Sequence, residues 1–374
     1  MAKTFKIGER LIGEGQPVFV VAELSGNHHQ NFDEAVALVK AAQKAGADAV
    51  KLQTYTPDTI TLNSDKQWFR VGGEDNPENW KGKTLYRLYQ TAYTPWEWQP
   101  KLKKLADELD IILFSSPFDN TAVDFLEAMR VPCFKIASYE ATDYVLLKKI
   151  ASTGKPVIMS IGYASLEEVE FALKTLRENG AKDIAILHCI TDYKGEPDEA
   201  RANLATIQDI AERFGVVSGF SDNSGGIGVP VMAARAGAAI IEKHVILNRA
   251  LGGPDADFSI EPIELKSLVD ILKGKKEYAP DLPTGQAGEE RYRKVLGAPH
   301  YGPRNDIEKY NLRWRRSLFA GKDIKKGEIF TEKNVRDVRP AFGLETKFID
   351  KVLGKKASQD IEFATPLAWN LISD

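Results

Sequence analysis

Eight short apolar runs, each ending in polar residues, constrain this chain more than any other feature. They are 18–23, 49–55, 111–116, 133–138, 156–160, 184–189, 216–222 and 239–244. At or near their carboxyl ends stand Glu23, Lys51, Gln53, Ser116, Lys135, Ser138, Glu140, Ser160, His188, Ser221, Asp222, Glu242 and His244. Short, continuously apolar runs read as strands buried on both faces. Between them apolar residues recur at helical spacing, as at Ala35, Leu38, Val39 and Ala42. Eight strands alternating with helices over about 250 residues suit a (β/α)8 TIM barrel. A doubly wound sheet usually has fewer strands and often a glycine-rich first turn. Gly225-Gly226-Ile227-Gly228 follows a strand but fails the G-x-G-x-x-G spacing. The predicted fold is the barrel, with its site at the strands' carboxyl ends.

Local signals fill in the order. Residues 5–16 predict a small hairpin that closes the barrel bottom. Asn31 or Asp33 can cap the first helix and Gly46 stops it. Ser165 with Glu168 spells a capping box. Residues 56–99 form a long excursion holding Trp68, Trp80, Tyr86, Tyr89, Tyr93, Trp96 and Trp98. It reads either as a mini-core of its own or as a cover on the active face, and both can hold together. The barrel domain is placed at 1–272. Residues 273–310, charged and rich in Gly and Pro, read as a linker. Residues 311–374 predict a compact β-rich domain with little helix. At about 60 residues such a unit leans on another surface, and a partner subunit's barrel is a natural one.

Composition excludes several classes. The chain has 374 residues, 28% charged, with a net charge of -3. Nucleic-acid binding would call for a basic face. Cys133 and Cys189, the two cysteines, sit inside apolar runs and read as buried thiols of a reducing compartment. There is no apolar signal region and no run of membrane-spanning length. The expectation is a cytoplasmic protein.

The strand-end set carries the chemistry. One His188 or Ser116 alone is more often a satisfied interior group. The whole set is hard to explain structurally, since an unpaired buried polar group costs about 1–3 kcal/mol. Lys51 and Lys135, with Ser138, Ser160 and Ser221, fit an anionic substrate such as a phosphate bearing a carboxylate. The bland reading of Lys51 is an internal pair with Glu23 or Glu140, and a Schiff-base aldolase stays open. His244, with Glu242 nearby, can hold a divalent metal if Asn223 or Asp222 adds an oxygen.

Beyond these patterns the chain resembles the sialic-acid-type nonulosonate synthases over essentially its whole length. The resemblance rests on Ala22-Glu23 with Asn27-His28, Lys51-Leu52-Gln53, Ser115-Ser116-Pro117-Phe118-Asp119, and Lys135 to Glu140. It extends to Leu187-His188-Cys189, Glu242-Lys243-His244, Gly253-Pro254-Asp255, and Phe258 to Pro262. In the tail, Arg316-Ser317-Leu318 and Arg339 to Leu344 are similar to an antifreeze-like (SAF) domain. Thr84 to Trp98 and Thr121 to Glu127 look most like the pseudaminic acid synthases within that family.

The resemblance implies a carbon–carbon bond-forming transferase. Phosphoenolpyruvate condenses with 2,4-diacetamido-2,4,6-trideoxy-altrose and water, and phosphate leaves. N-acetylneuraminate and legionaminate synthases are the enzyme alternatives, and a non-catalytic carbohydrate-binding protein is the alternative of another class. By the same resemblance Lys51, Ser116, Lys135, Ser138, Ser160 and Ser221 hold phosphoenolpyruvate. Glu23 moves protons. Gln53, Glu140, Tyr193, Asp255 and Arg339 face the sugar, with Arg339 reaching the neighbour's site in a domain-swapped homodimer. His244 and Asn223 bind a divalent ion, manganese or magnesium. Asn223 departs from the family pattern, which has histidine there. Asp143 and Thr191 depart as well, the first from asparagine, the second from asparagine or serine.

Overall fold

The protein's structure, a computed structural model, describes residues 3–71, 82–196, 198–253, 255–276 and 285–373. Trp80 lies outside them, and so does the side chain of Tyr193, although its backbone belongs to a strand. An antiparallel hairpin, β1 (Thr4–Ile7) and β2 (Arg10–Gly13), comes first. The barrel strands are β3 (Phe19–Glu23), β4 (Ala49–Thr54), β5 (Ile112–Pro117), β6 (Phe134–Ile136), β7 (Val157–Ser160), β8 (Ile184–Lys194), β9 (Val217–Ser224) and β10 (Ile240–His244). Each pairs in parallel with the next, and β10 closes on β3. The hairpin's Phe5, Ile7 and Ile12 pack in one buried cluster with Phe19, Val21 and Phe114.

Helices α1 (Phe32–Ala45), α2 (Pro57–Ile60), α3 (Leu85–Ala92), α4 (Gln99–Glu108), α5 (Asn120–Ala128), α6 (Tyr144–Ser152), α7 (Leu166–Glu178), α8 (Ala205–Phe214), α9 (Gly228–Arg235) and α10 (Pro262–Leu272) follow the strands. Asn31, not Asp33, caps α1, accepting from the Asp33 and Glu34 amides at 2.9 and 3.4 Å. Gly46 ends that helix in the left-handed conformation. Ser165 and Glu168 form the expected reciprocal box on α7. No helix among the described residues is long and apolar enough to cross a membrane.

The described residues within 273–310 carry more regular structure than their composition suggests. They hold α11 (Gly285–Leu296) and the start of α12 (Asp306–Asn311). Val295 is buried, and its carbonyl accepts from the Leu204 amide at 3.2 Å. Glu308 is buried too, paired with Arg304 at 2.5 Å and accepting from Thr191 Oγ1 at 3.2 Å. Few apolar positions carry this packing, which is why the pattern read as a linker.

The terminal unit pairs β11 (Ser317–Ala320) with β12 (Val335–Val338), and, after α13 (Ile349–Val352), β13 (Lys356–Ala357) with β14 (Ile372–Ser373). Leu318, Ile324, Phe330, Val335, Ile361 and Leu367 make its core. It leans on the excursion after β4 of its own chain. Leu62 and Phe69 pack with Phe319, Val338 and Ala364. Lys66 Nζ donates to the Phe363 carbonyl at 2.7 Å, and the Arg339 amide to the Ile60 carbonyl at 2.9 Å. Residues 57–71 thus serve as a docking platform. Tyr89 and Tyr93, farther along, pack instead with Tyr55, Ile60 and Phe118.

Candidate active site

Strand register sets the site. His244 lies beside Glu23, Glu23 beside Lys51, Gln53 beside Ser116, and Glu242 beside Ser221. Paired neighbours point to one face, and alternation puts 242 and 244 on the same side. Lys243 and Asp222 therefore point the other way, and they pair at 2.8 Å with no exposure. That removes Asp222 from the oxygen donors expected beside His244.

Lys51 forms an ion pair with Glu23 and lies 3.7 Å from Glu242 Oε1. Lys135 lies 3.8 Å from the same oxygen. The two buried amines therefore converge on one carboxylate. Lys51 Nζ donates to Ser116 Oγ at 3.3 Å and Lys135 Nζ to Ser160 Oγ at 2.6 Å. Ser221 Oγ donates to Glu242 Oε1 at 3.0 Å. Ser138 Oγ accepts from the Gly162 amide at 3.2 Å, a position too close to Thr191 and Cys189 for any side chain on residue 162. Glu23 Oε1 accepts from Gln53 Nε2 at 3.1 Å and from the Ser25 amide at 2.9 Å.

The electrostatics follow from burial against pairing. Burial pushes the Glu23 carboxyl up, and the nearby Glu242 adds to this against the pull of Lys51. Burial would raise Glu242 as well, but Lys135 and Lys51 together hold it below its ordinary value. Burial lowers Lys135, while for Lys51 the two carboxylates outweigh burial and raise it. A carboxyl with raised proton affinity, Glu23, thus stands beside a two-amine anion cradle.

A second group lies where the terminal domain meets the barrel. Arg339 forms an ion pair with Glu140, whose other oxygen, Oε2, is buried without a hydrogen bond among the described residues. Arg339 also donates to the Tyr89 hydroxyl at 3.1 Å. Its guanidinium lies 5.5 Å from the Phe118 ring centroid and 5.1 Å from that of Tyr139. Tyr55 meets Phe118 edge to face at 5.2 Å. So Arg339 closes on the barrel of its own chain, where the sequence expectation put it on a neighbour's. Glu140, a candidate partner for Lys51, is taken by Arg339 instead.

Residues 38–279 match the NeuB family and residues 315–373 the SAF domain. The pseudaminic acid synthase of Campylobacter jejuni is 41% identical over 350 residues, covering 94% of this chain and 95% of that protein. The pseudaminic acid synthase of Helicobacter pylori is 40% identical over 353 residues, covering 94% and 97%. The crystal structure of the spore coat polysaccharide biosynthesis protein SpsE from Bacillus subtilis superposes with a TM-score of 0.78 at 31% identity, covering 99% of each chain. The chain belongs to the NeuB family. It is an enzyme of the phosphoenolpyruvate-dependent nonulosonate synthase type, on a TIM barrel with a SAF domain.

For a NeuB family chain the metal question falls on His244. Burial pushes its imidazole down to about 4, so the ring is neutral at pH 7 and able to ligate. Its Nδ1 is buried without a hydrogen bond, and Asp255 Oδ2 stands 3.7 Å away. Asn223 donates its amide nitrogen to Cys189 Sγ at 3.5 Å, which leaves its oxygen to offer a cation. No cluster of three His, Cys, Asp or Glu ligands occurs among the described residues. One imidazole, one carboxylate and one amide oxygen still fit a hard divalent ion that keeps water in its remaining positions.

The structure sorts two members of the strand-end set. Glu242 holds both amines, whereas the sequence placed it in the strand-end set and beside His244 without assigning it to the lysines. The available signal was its offset of two from His244 on one strand. His188 turns to structure, with Nε2 2.7 Å from the Ala202 carbonyl and burial holding it near 4.

Proposed function

We propose that this enzyme is a pseudaminic acid synthase, joining phosphoenolpyruvate to 2,4-diacetamido-2,4,6-trideoxy-altrose with uptake of water and release of phosphate. The observation that carries the reading is the convergence of Lys51 and Lys135 on Glu242 beside a protonatable Glu23. An incoming phosphate and carboxylate would take over the amines that Glu242 now shares. Ser116, Ser138, Ser160 and Ser221 would direct its oxygens by hydrogen bonds. C3 of the enol attacks the aldehyde carbon, water adds at C2, and the C–O bond to phosphate breaks. Glu23, steadied by Gln53, would hold the proton exchanged at the water and the sugar oxygen. His244 and Asn223 would hold manganese or magnesium, which supplies polarisation of the sugar aldehyde when bound.

Glu140, Asp255, Tyr193 and Arg339 would face the acylamino sugar. Tyr55, Phe118 and Tyr139 around Arg339 favour a deoxy sugar, since apolar rings suit a methyl where other hexoses carry a hydroxyl. In a homodimer that exchanges terminal domains, the contacts of Arg339 with Glu140 would form between subunits instead of within one. Two buried free thiols favour a cytoplasmic setting. The test is phosphate release from phosphoenolpyruvate over a panel of acylamino sugars, with and without divalent ion. Turnover of the trideoxy-altrose is expected. Turnover of N-acetylmannosamine but not of that sugar would overturn the assignment.

A further inference from the structure

We propose that His29 is a positioning residue, a cationic clip that holds the segment carrying Asp255 over the barrel mouth. Its ring sits between two acceptors. Nδ1 lies 2.7 Å from Glu34 Oε2, and Nε2 lies 2.8 Å from the Gly252 carbonyl. A carboxylate and a carbonyl only accept, so both bonds exist together only when both ring nitrogens carry hydrogen.

The surrounding loop is built for gripping. Ser25, His29 and Gln30 have φ of 43, 50 and 52°, a region that side chains rarely adopt. Such strain persists where neighbours enforce it. Asn27 Nδ2 donates to Ser259 Oγ at 2.8 Å and to the Val245 carbonyl at 3.0 Å. Gly252 is thus tied by His29 and Ser259 by Asn27, and Asp255 lies between those two residues in the sequence. Gly253 has φ of 126°, and a Cβ there would stand 3.0 Å from His29 Nε2, so the backbone comes as close as the clip requires. His28 and Gln30 fix the other side of the loop, by Thr94 Oγ1 at 2.9 Å and the Gln90 carbonyl at 2.8 Å.

The groups facing the ring are Glu34 from α1, the Gly252 carbonyl from the clipped segment, and His28 beside it. Burial holds His28 near 4, so it is neutral at physiological pH. Burial works against the His29 cation, but Glu34 and Gly252 outweigh it and raise its pKa. The sign follows. The clip has full strength below the ordinary histidine value and weakens as pH rises through the raised one, where the neutral ring can donate only once.

The test uses hydrogen exchange on the full chain. Protection factors of the Gly252 amide, bonded to the Arg249 carbonyl, and of the Ser259 amide, bonded to the Ala256 carbonyl, should fall about tenfold between pH 6 and pH 9. His29→Asn keeps a residue that tolerates left-handed backbone and removes the double donor. It should show the low protection at both pH values. Glu34→Gln should move the wild-type transition to lower pH, and it decides the matter if His29→Asn does not fold. Protection that ignores pH in the wild type, a His29→Asn variant identical to wild type at pH 6, or an unmoved transition in Glu34→Gln would overturn the clip. The kinetic arm rests on the proposed sugar-binding role of Asp255. There His29→Asn should raise KM for the acylamino sugar about tenfold and leave KM for phosphoenolpyruvate unchanged, and equal sugar KM values would overturn the positioning role. Expected exchange behaviour with no sugar turned over by either protein would count against the functional reading, not against the clip.

Discussion

Two amines and two carboxylates meet at the barrel mouth, and at the scale of single residues Glu242 decides what they can do. Lys51 has Glu23 as a second partner, whereas Lys135 has only Glu242 within ion-pair distance among the described residues. Removing one partner of a buried pair leaves the other uncompensated, at about 3–5 kcal/mol. Glu242→Gln should therefore lower the thermal midpoint, and phosphoenolpyruvate, which restores a negative charge, should raise it more in the variant than in the wild type. Calorimetry with and without the ligand checks this, and an equal or smaller ligand shift would show that Glu242 does not neutralise the cradle. Asn223 poses the metal question at the same scale. Its amide nitrogen is engaged by Cys189, so its oxygen is the atom left to ligate. Asn223→His should tighten manganese binding about tenfold, since imidazole is the stronger donor for such an ion. Competition against a fluorescent chelator reads it out, and an unchanged affinity would remove Asn223 from the ligand set.

At the scale of elements, strands were legible and their partners across the fold were not. Runs such as 156–160 and 239–244 announce themselves by their apolar starts, because a strand buried on both faces leaves polar residues few places but its end. The Asn31 cap, the Gly46 stop and the Ser165–Glu168 box are local chemistry, fixed by residues a turn apart. Lys51 and Lys135 could be read as a pair because the barrel fold itself brings strand ends together. The pairing of Glu140 with Arg339 could not be read, since 199 residues separate them and only tertiary docking joins them. The 57–71 platform hid for the same reason. Its Leu62 and Phe69 look like a loop's own core until Phe319 and Val338 arrive from the far end of the chain. Helix α11 was missed because one buried residue, Val295, does the work that a stripe of apolar positions does elsewhere.

At the scale of the whole molecule, the terminal domain completes the barrel mouth, so its docking and the site are one problem. Arg339 enters beside Glu140, and behind it Arg316 lies 3.5 Å from Asp143 Oδ2 and 4.0 Å from Glu140 Oε1. Asp337 of β12 faces Asp143 across the same seam, and its Oδ1 is buried without a hydrogen bond among the described residues. Burial, with Asp143 adding to it and Arg316 opposing, holds the Asp337 carboxyl well above its ordinary value. A raised carboxyl favours the docked state below the unfolded pKa, near 3.9, and loses that contribution as pH climbs through the raised value. Docking should therefore weaken from mildly acid toward neutral and alkaline pH. Asp337→Asn replaces the proton-hungry oxygen with an amide that donates to Asp143 at any pH. It should raise the thermal midpoint by about 2 °C at pH 8 and make little difference at pH 4. Limited proteolysis between residues 297 and 315 should slow in the variant at pH 8 if the seam, and not the domain's own core, carries the effect. A midpoint difference that does not change with pH would mean that Asp337 carries no proton across the seam, and that the ion pairs of Arg316 with Asp143 and of Arg339 with Glu140 hold the domain without it.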